Sequence, residues 1–294
     1  MAVVQQSFKE VSVLNIRIKF QKYGVMKFIG HLDIMRYFQK AIRRADIDIV
    51  YSEGYSPHQI MSFAAPLGVG ITSDGEYFDI EVNSSKTSQE SLNALNHVMV
   101  EGISVLEYKK LPDTAKTSMS LVAAADYFIY EKDEYQPLFP SFEELQKKLQ
   151  KFFEGQKEIF IMKQTKKKQI EMNLKPLIYE IKALNGKDAV LNGDTNFVEK
   201  NGIFLKICTG STNNIKPELV LEAFCKFCEL EYNPFRFQIH RLEVYASSED
   251  IPVKGEKEQK EYLKYLKQKK ETYQKNGKVF PKFFTLGELG EEII

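Results

Sequence analysis

The sequence predicts an α+β protein: two βαββαβ units in tandem, with antiparallel sheets, followed by a Lys-rich C-terminal extension. Three observations predict it. Period-two apolar alternation and helical spacing succeed one another in the same order twice along the chain. At 294 residues, and about 150 residues per domain, the length suits two domains, each with its own core. A composition of 43% hydrophobic and 28% charged residues, with 16 Gly and 10 Pro, is globular and excludes collagen-like, disordered and disulfide-stapled chains. The first unit is placed at residues 12–112, the second at 118–247 and the charged extension at 248–294.

In the first unit, Asn15 to Phe20 alternates apolar and polar residues, the pattern of a half-buried strand. From His31 to Ala45 the spacing turns helical: Met35, Phe38, Ile42 and Ala45 share one face, with Arg36, Lys40, Arg43 and Arg44 opposite. A strand at Ile47 to Tyr51 ends in the turn formers Ser52 to Pro57. Ile60 to Phe63 and Glu76 to Val82 read as strands around the Gly-rich stretch Pro66 to Gly70. Thr87-Ser88-Gln89-Glu90 is a capping box that opens a helix carrying Leu92, Leu95 and Met99, and Ile103 to Tyr108 is the closing strand. This order is the split βαβ of ferredoxin-like domains.

The second unit repeats it with longer connections. Ala125 to Tyr130 is a strand, Ser141 to Glu144 a second capping box, and Phe142, Leu145, Leu149 and Phe152 the buried side of the helix that follows. Glu158 to Met162, Lys168 to Ile181 and Ile203 to Cys208 are strand candidates. A helix starts at Pro217 and leads to a strand at Phe235 to Tyr245. After Ser248 comes a Lys-rich helix bearing Tyr262, Leu266 and Tyr273, then FFTLGELGEEII, a flexible or docking tail.

Charge is balanced overall at +1 but segregated along the chain. Residues 9 to 52 hold nine Lys or Arg against four acids, whereas residues 53 to 108 hold eight acids against Lys86 alone. Two later blocks, 163–175 and 254–278, are again basic. Such blocks suit phosphate-binding surfaces or ordinary solvated faces. No apolar run reaches the about 18 residues of a membrane span, and the start MAVVQQSFKE has no signal-peptide pattern, so the expected compartment is the cytoplasm. Three cysteines (Cys208, Cys225, Cys228) suit a reducing compartment.

Two constellations are candidates for chemistry. Cys225-x-x-Cys228 has the spacing of a zinc or redox pair, but only Cys208 and His240 offer further ligands, and helical spacing after Phe224 puts Cys228 on a buried face; the expectation is packed thiols and no metal. Walker, GxGxxG, HExxH, GxSxG and CxxxCxxC signatures are absent, so no cofactor is expected. The second constellation joins His31 and Asp33 at the start of the cationic helix to Tyr51, Ser52, Tyr55, Ser56 and His58 in the turn after the next strand. Adjacent elements in this topology bring such a set near Arg43 and Arg44. There it suits phosphate binding, or acid/base cleavage of RNA by His31 and His58 with Tyr51, or purely structural roles in which His31 caps its helix and His58 fixes its turn.

The same residues carry a resemblance. FIGHLD (Phe28 to Asp33), Arg43-Arg44, Tyr51-Ser52-x-Gly54 with Pro57-His58, Ser62-Phe63-x-x-Pro66-Leu67-x-x-Gly70 and Ser73-x-x-Glu76-Tyr77-x-Asp79 resemble the bacterial radical-SAM-associated domain of unknown function. Tyr55 and Gln59 depart from its usual Phe and Pro. The likeness is dense over about 55 residues and, with TKKKQIEMNLKPLI at 165–178, extends to residues 13–245. It implies the stand-alone form of the family, acting beside a separately encoded radical-SAM enzyme, with no established activity. Gene neighbours of the family that concern ribosomal proteins and ribonucleases point to RNA.

The resulting expectation is a non-catalytic module that holds RNA or a ribonucleoprotein for that partner. Its contacts are Arg36, Lys40, Arg43, Arg44, Tyr51, Ser52, Tyr55, His58, Lys166, Lys167 and Lys168. The alternatives are a metal-independent endoribonuclease and a protein-only adaptor.

Overall fold

The computed structural model describes residues 13–113, 115–164, 169–189, 200–210, 214–248 and 256–294. β1 (Leu14–Lys22) leads through a 3-10 turn (Gly24–Phe28) into α1 (His31–Arg44). β2 (Met61–Phe63), β3 (Thr72–Val82), α2 (Ser88–His97) and β4 (Ile103–Lys110) follow. The second half runs through α3 (Ser118–Leu121), β5 (Val122–Glu131), α4 (Phe142–Phe153), β6 (Phe160–Gln164), β7 (Gln169–Asn173) and β8 (Ile178–Asn185). It continues with α5 (Gly186–Ala189), β9 (Asn201–Cys208), α6 (Pro217–Phe227) and β10 (Phe237–Ser247). Last come α7 (Glu256–Lys275) and β11 (Phe283–Thr285). Among the described residues this is a mixed α/β chain with seven helices and one large, mostly antiparallel sheet of nine strands.

The strand order is β4-β1-β3-β10-β5-β9-β8, with β2 added to β3 and β11 to β10; β6 and β7 pair as a separate hairpin. The two halves thus share one sheet. They meet where β10 runs parallel to β3, His240 opposite Thr72 and Arg241 opposite Ser73, the single parallel pairing among the described strands.

Each half has a core of its own on the helical side. Ile34, Phe38 and Ile42 of α1 pack on Ile16, Ile18 and Phe20 of β1 and on Phe63 and Phe78. The Phe38 and Phe63 rings lie 4.6 Å and 4.9 Å from Phe78, so the aromatic cluster adds to simple area burial. Leu145, Leu149 and Phe152 of α4 do the same against Leu205, Ile207, Val220 and Phe224. α1 ends as Asp46 takes φ +56° and Ile47 N–H donates to Ile42 C=O, a left-handed stop that turns the chain back toward β3.

Several expectations are corrected. Ile47 to Tyr51 is not a ladder strand; it makes only isolated bridges, Ile49 to Val82 and Tyr51 to Gln59, because the turn formers after it leave too little length to pair. Glu158 to Met162 starts later, at Phe160, and joins β7 rather than the main sheet. Lys168 to Ile181 is split by a 3-10 turn at Lys175–Leu177, where Pro176 cannot donate to a ladder. On α1, Ile34 and Ala41 are buried and Met35 only half-buried. The Thr87–Glu90 capping box has both of its hydrogen bonds, whereas at Ser141 only the Ser side chain accepting from Glu144 N–H is present.

The terminal FFTLGELGEEII is docked. β11 pairs with β10, Phe284 and Leu286 are fully buried, and Ile293 exchanges hydrogen bonds with Ser88 at the start of α2.

Candidate nucleic-acid interface

α1 is built as the alternation of faces requires, and its outer face is cationic. Lys40, Arg43 and Arg44 are exposed and make no ion pair among the described residues, while Arg36 reaches Asp33 one turn away at 3.4 Å, with both side chains largely in solvent. An exposed pair of that kind contributes little.

The segment 51–59 folds as a small hairpin against this helix. Tyr51 bridges to Gln59, Ser52 N–H donates to His58 C=O, and the Ser52 hydroxyl lies 2.8 Å from His58 Nδ1. Gln59 is buried and anchors the hairpin: its amide nitrogen donates to Gln39 C=O on α1 at 3.2 Å and to the Tyr51 hydroxyl at 3.4 Å. Tyr51 is therefore held, through Gln59, beside Gln39 of α1 and is 47% exposed, and Tyr55 stands fully exposed at the tip. Gly54 at φ +104° supplies the conformation that the tip requires.

His31 has a different neighbour. It is the first residue of α1 and packs edge-on against Phe63 at 5.4 Å. Phe63 is five residues beyond His58 along an extended run, which spans on the order of 16 Å, and Arg43 is twelve residues along the helix, roughly 18 Å away. The structure brings Tyr51, Ser52, His58 and Gln59 together beside Gln39 of α1, and packs His31, at the start of that helix, against Phe63. Lys166, Lys167 and Lys168 lie outside the described residues.

The densest chemistry lies at the junction of the halves, where sequence reasoning placed none. On β1, Arg17, Lys19 and Lys22 are buried. Arg17 forks onto Asp79 at 2.8 and 3.0 Å and also donates to Leu286 C=O. Lys19 meets Glu243 at 2.6 Å, and the Tyr77 hydroxyl donates to the other oxygen of the same carboxylate. Arg241 donates to Glu76 and to Ala65 C=O, and His240, stacked on Tyr23, contacts Thr72 and Asp74.

Burial raises the Glu243 carboxyl and the Tyr77 hydroxyl and lowers Lys22, each toward its neutral form. Glu76 and Tyr77, with Lys19 of β1, are thus the buried clasp to β10, while Asp79 holds Arg17. The one signal available was the matching alternation of opposite charges on β1, β3 and β10. Among the described residues, three cations of the first basic block, Arg17, Lys19 and Lys22, are spent inside the protein, and those on α1 stay exposed.

Cys225 is buried, and Cys228, just past the end of α6 at Phe227, is half-buried and packs against the second core. Burial pushes the Cys225 thiol up to about 11 and raises Cys228 as well. Among the described residues no three His, Cys, Asp or Glu side chains are grouped to hold a metal. Modification by a disulfide reagent at pH 8 is expected to be at least about tenfold slower in the native chain than after denaturation; equal rates would contradict this packing.

No helix among the described residues is long and apolar enough to cross a membrane. No curated protein matches the chain. Residues 15–217 match the family described as an uncharacterized protein conserved in bacteria, DUF2344, and span β1 to the start of α6, including both the cationic helix and the β3 clasp. The chain belongs to that family.

Proposed function

We propose that this chain is a non-catalytic accessory protein that holds RNA, or a ribonucleoprotein, for a separately encoded radical-SAM enzyme in the cytoplasm. The observation that carries the reading is the exposed α1 face: Lys40, Arg43 and Arg44 without carboxylate partners among the described residues, with the exposed Tyr51 linked to the same helix through Gln59 and Gln39 and the exposed Tyr55 in the same hairpin. Cations that track a phosphate backbone beside rings that stack bases are the two parts of a single-strand contact. The motif resemblance over residues 28–79 supports the radical-SAM pairing.

We also read each half as a ferredoxin-like unit, with boundaries at 12–112 and 118–247 and the extension from 248. The strand orders β4-β1-β3-β2 and β10-β5-β9-β8 support this, since both follow the split-βαβ arrangement.

The test is retention of labelled cellular RNA in EDTA, compared with a Lys40→Glu, Arg43→Glu, Arg44→Glu variant. The native chain is expected to retain RNA uncut. The variant is expected to lose affinity by more than about tenfold and to show a shallower salt dependence, by about 0.7 in log–log slope per lost single-strand phosphate contact. Its stability is expected to hold, because exposed changes cost within about 0.5 kcal/mol each. Unchanged affinity and slope in a folded variant would remove the α1 face from the reading, and cleavage in EDTA would overturn the non-catalytic assignment. Co-purification from the native cell tests the partner.

A further inference from the structure

β8 closes one end of the sheet. It pairs with β9 on one side, and among the described strands none lies beyond it. Ile178 is its one buried residue; the other seven are partly or largely exposed. Gly186 N–H donates to Lys200 C=O where the β8–β9 ladder ends, and this fixes the alternation along the strand. Even-numbered residues bond to β9, and Ile181, Ala183 and Asn185 turn their backbone N–H and C=O outward. Main-chain groups aligned along such an edge are a template for another strand.

Edges of this kind are commonly guarded by charge, and β8 carries Glu180 and Lys182, two residues apart on one face with side chains 44% and 52% exposed. A guard of one sign repels every approaching copy of itself. This pair is of opposite sign, so its effect depends on the register of the incoming strand.

A second β8 laid antiparallel about a two-fold axis at Ile181 sets Glu180 opposite Lys182 of the other copy, and Lys182 opposite the other Glu180. Moving the axis to Glu180 or to Lys182 sets like charges face to face. Ile181 is also one of the outward-turned residues, so at that axis the two copies of Ile181 exchange N–H to C=O hydrogen bonds. The charged pairs then fall at non-hydrogen-bonded positions, where side chains across a sheet stand closest. Charge and hydrogen-bond parity thus select the same axis. A strand carrying a single sign of charge satisfies half of this pattern, whereas β8 itself satisfies all of it.

We propose that β8 is a self-association edge, on which a second copy of this chain pairs antiparallel about Ile181 and continues the sheet across the two-fold axis. The register shift between Ile178 and Glu180 keeps the straight pairing short, so the dimer belongs to the weak, reversible class. β8 lies at the other end of the strand order from β1, on which α1 packs, and the inference does not rest on the RNA reading.

The test is sedimentation equilibrium of the full 34.0 kDa chain with single and paired charge reversals. The native chain is expected to show a monomer–dimer equilibrium at or below about 200 µM. Glu180→Lys and Lys182→Glu each set like charges opposite one another on both sides of the axis, and each is expected to weaken association by about tenfold or more. Both variants are expected to melt close to the native chain, because the two side chains are half in solvent. An equimolar mixture of the two variants is expected to dimerise again, since a strand with two lysines then faces one with two glutamates. Glu180→Lys and Lys182→Glu combined in one chain are expected to restore the native dissociation constant to within about threefold. A native chain that stays monomeric at the highest concentration, a dimer indifferent to either single reversal, or a mixture that remains monomeric would overturn the proposal.

Discussion

Truncating Glu76 to alanine is expected to destabilise the protein by about 3–5 kcal/mol, a large share of the about 5–15 kcal/mol that holds a typical domain folded. Glu76 and Arg241 are 5% and 2% exposed, and the guanidinium has Glu76 as its only acidic partner within ion-pair distance among the described residues. Removal of the carboxylate leaves a charge buried with one carbonyl and a tyrosine for company. Urea unfolding of Glu76→Ala is expected to show a midpoint lower by roughly 1 M or more with the slope unchanged. The double variant Glu76→Leu, Arg241→Met is expected to recover most of the loss, because it removes the desolvated charge along with its partner. A single variant as stable as the native chain would mean that Arg241 reaches solvent and that the clasp is not a closed ion pair.

Gly75→Ala is expected to act at the same junction by steric means alone. A Cβ on Gly75 would stand 2.6 Å from Glu243 Cα and 2.9 Å from Leu242 C=O, both backbone atoms of β10 that cannot rotate away. The strands must separate, and overpacking of this kind costs typically 1–3 kcal/mol, more when backbone has to move. Gly68→Ala is the control, since its nearest neighbour is the end of the Ile71 side chain at 3.1 Å, which can shift. Thermal melts that rank Gly75→Ala well below Gly68→Ala support the close strand approach; equal melting temperatures would exclude it.

The helices were legible because their signals are local. The Phe38 and Ile42 spacing, Thr87 with Glu90, and Pro217 at a helix start each concern residues within a turn or two of one another, and each occurs in the structure. β1 shows where locality fails. The alternation of Arg17 and Lys19 with Ile16, Ile18 and Phe20 reads as a strand with one wet face, yet both faces are buried. The cations meet Asp79 and Glu243, residues 62 and 224 positions away, and nothing near Arg17 or Lys19 announces them. The same holds for the candidate interface. The exposed cations on α1 were readable from the helical period, whereas the Gln59 to Gln39 hydrogen bond that seats Tyr51 beside them was not. The Ser73 to Asp79 motif was visible as a pattern, but its burial, and so its structural role, depends on β10.

The β3–β10 contact also sets a timetable for synthesis. Asp74 and His240 are 166 residues apart, so at about 5–20 residues per second β3 leaves the ribosome roughly ten to thirty seconds before its partner strand exists. During that interval the first half can gather its own phenylalanine core, but Asp74, Glu76 and the edge of β3 remain hydrated and open to any passing strand. The nascent chain completes its sheet only after β10 has been made, and a product truncated before it lacks the strand that covers the Thr72–Ser73 end of that edge.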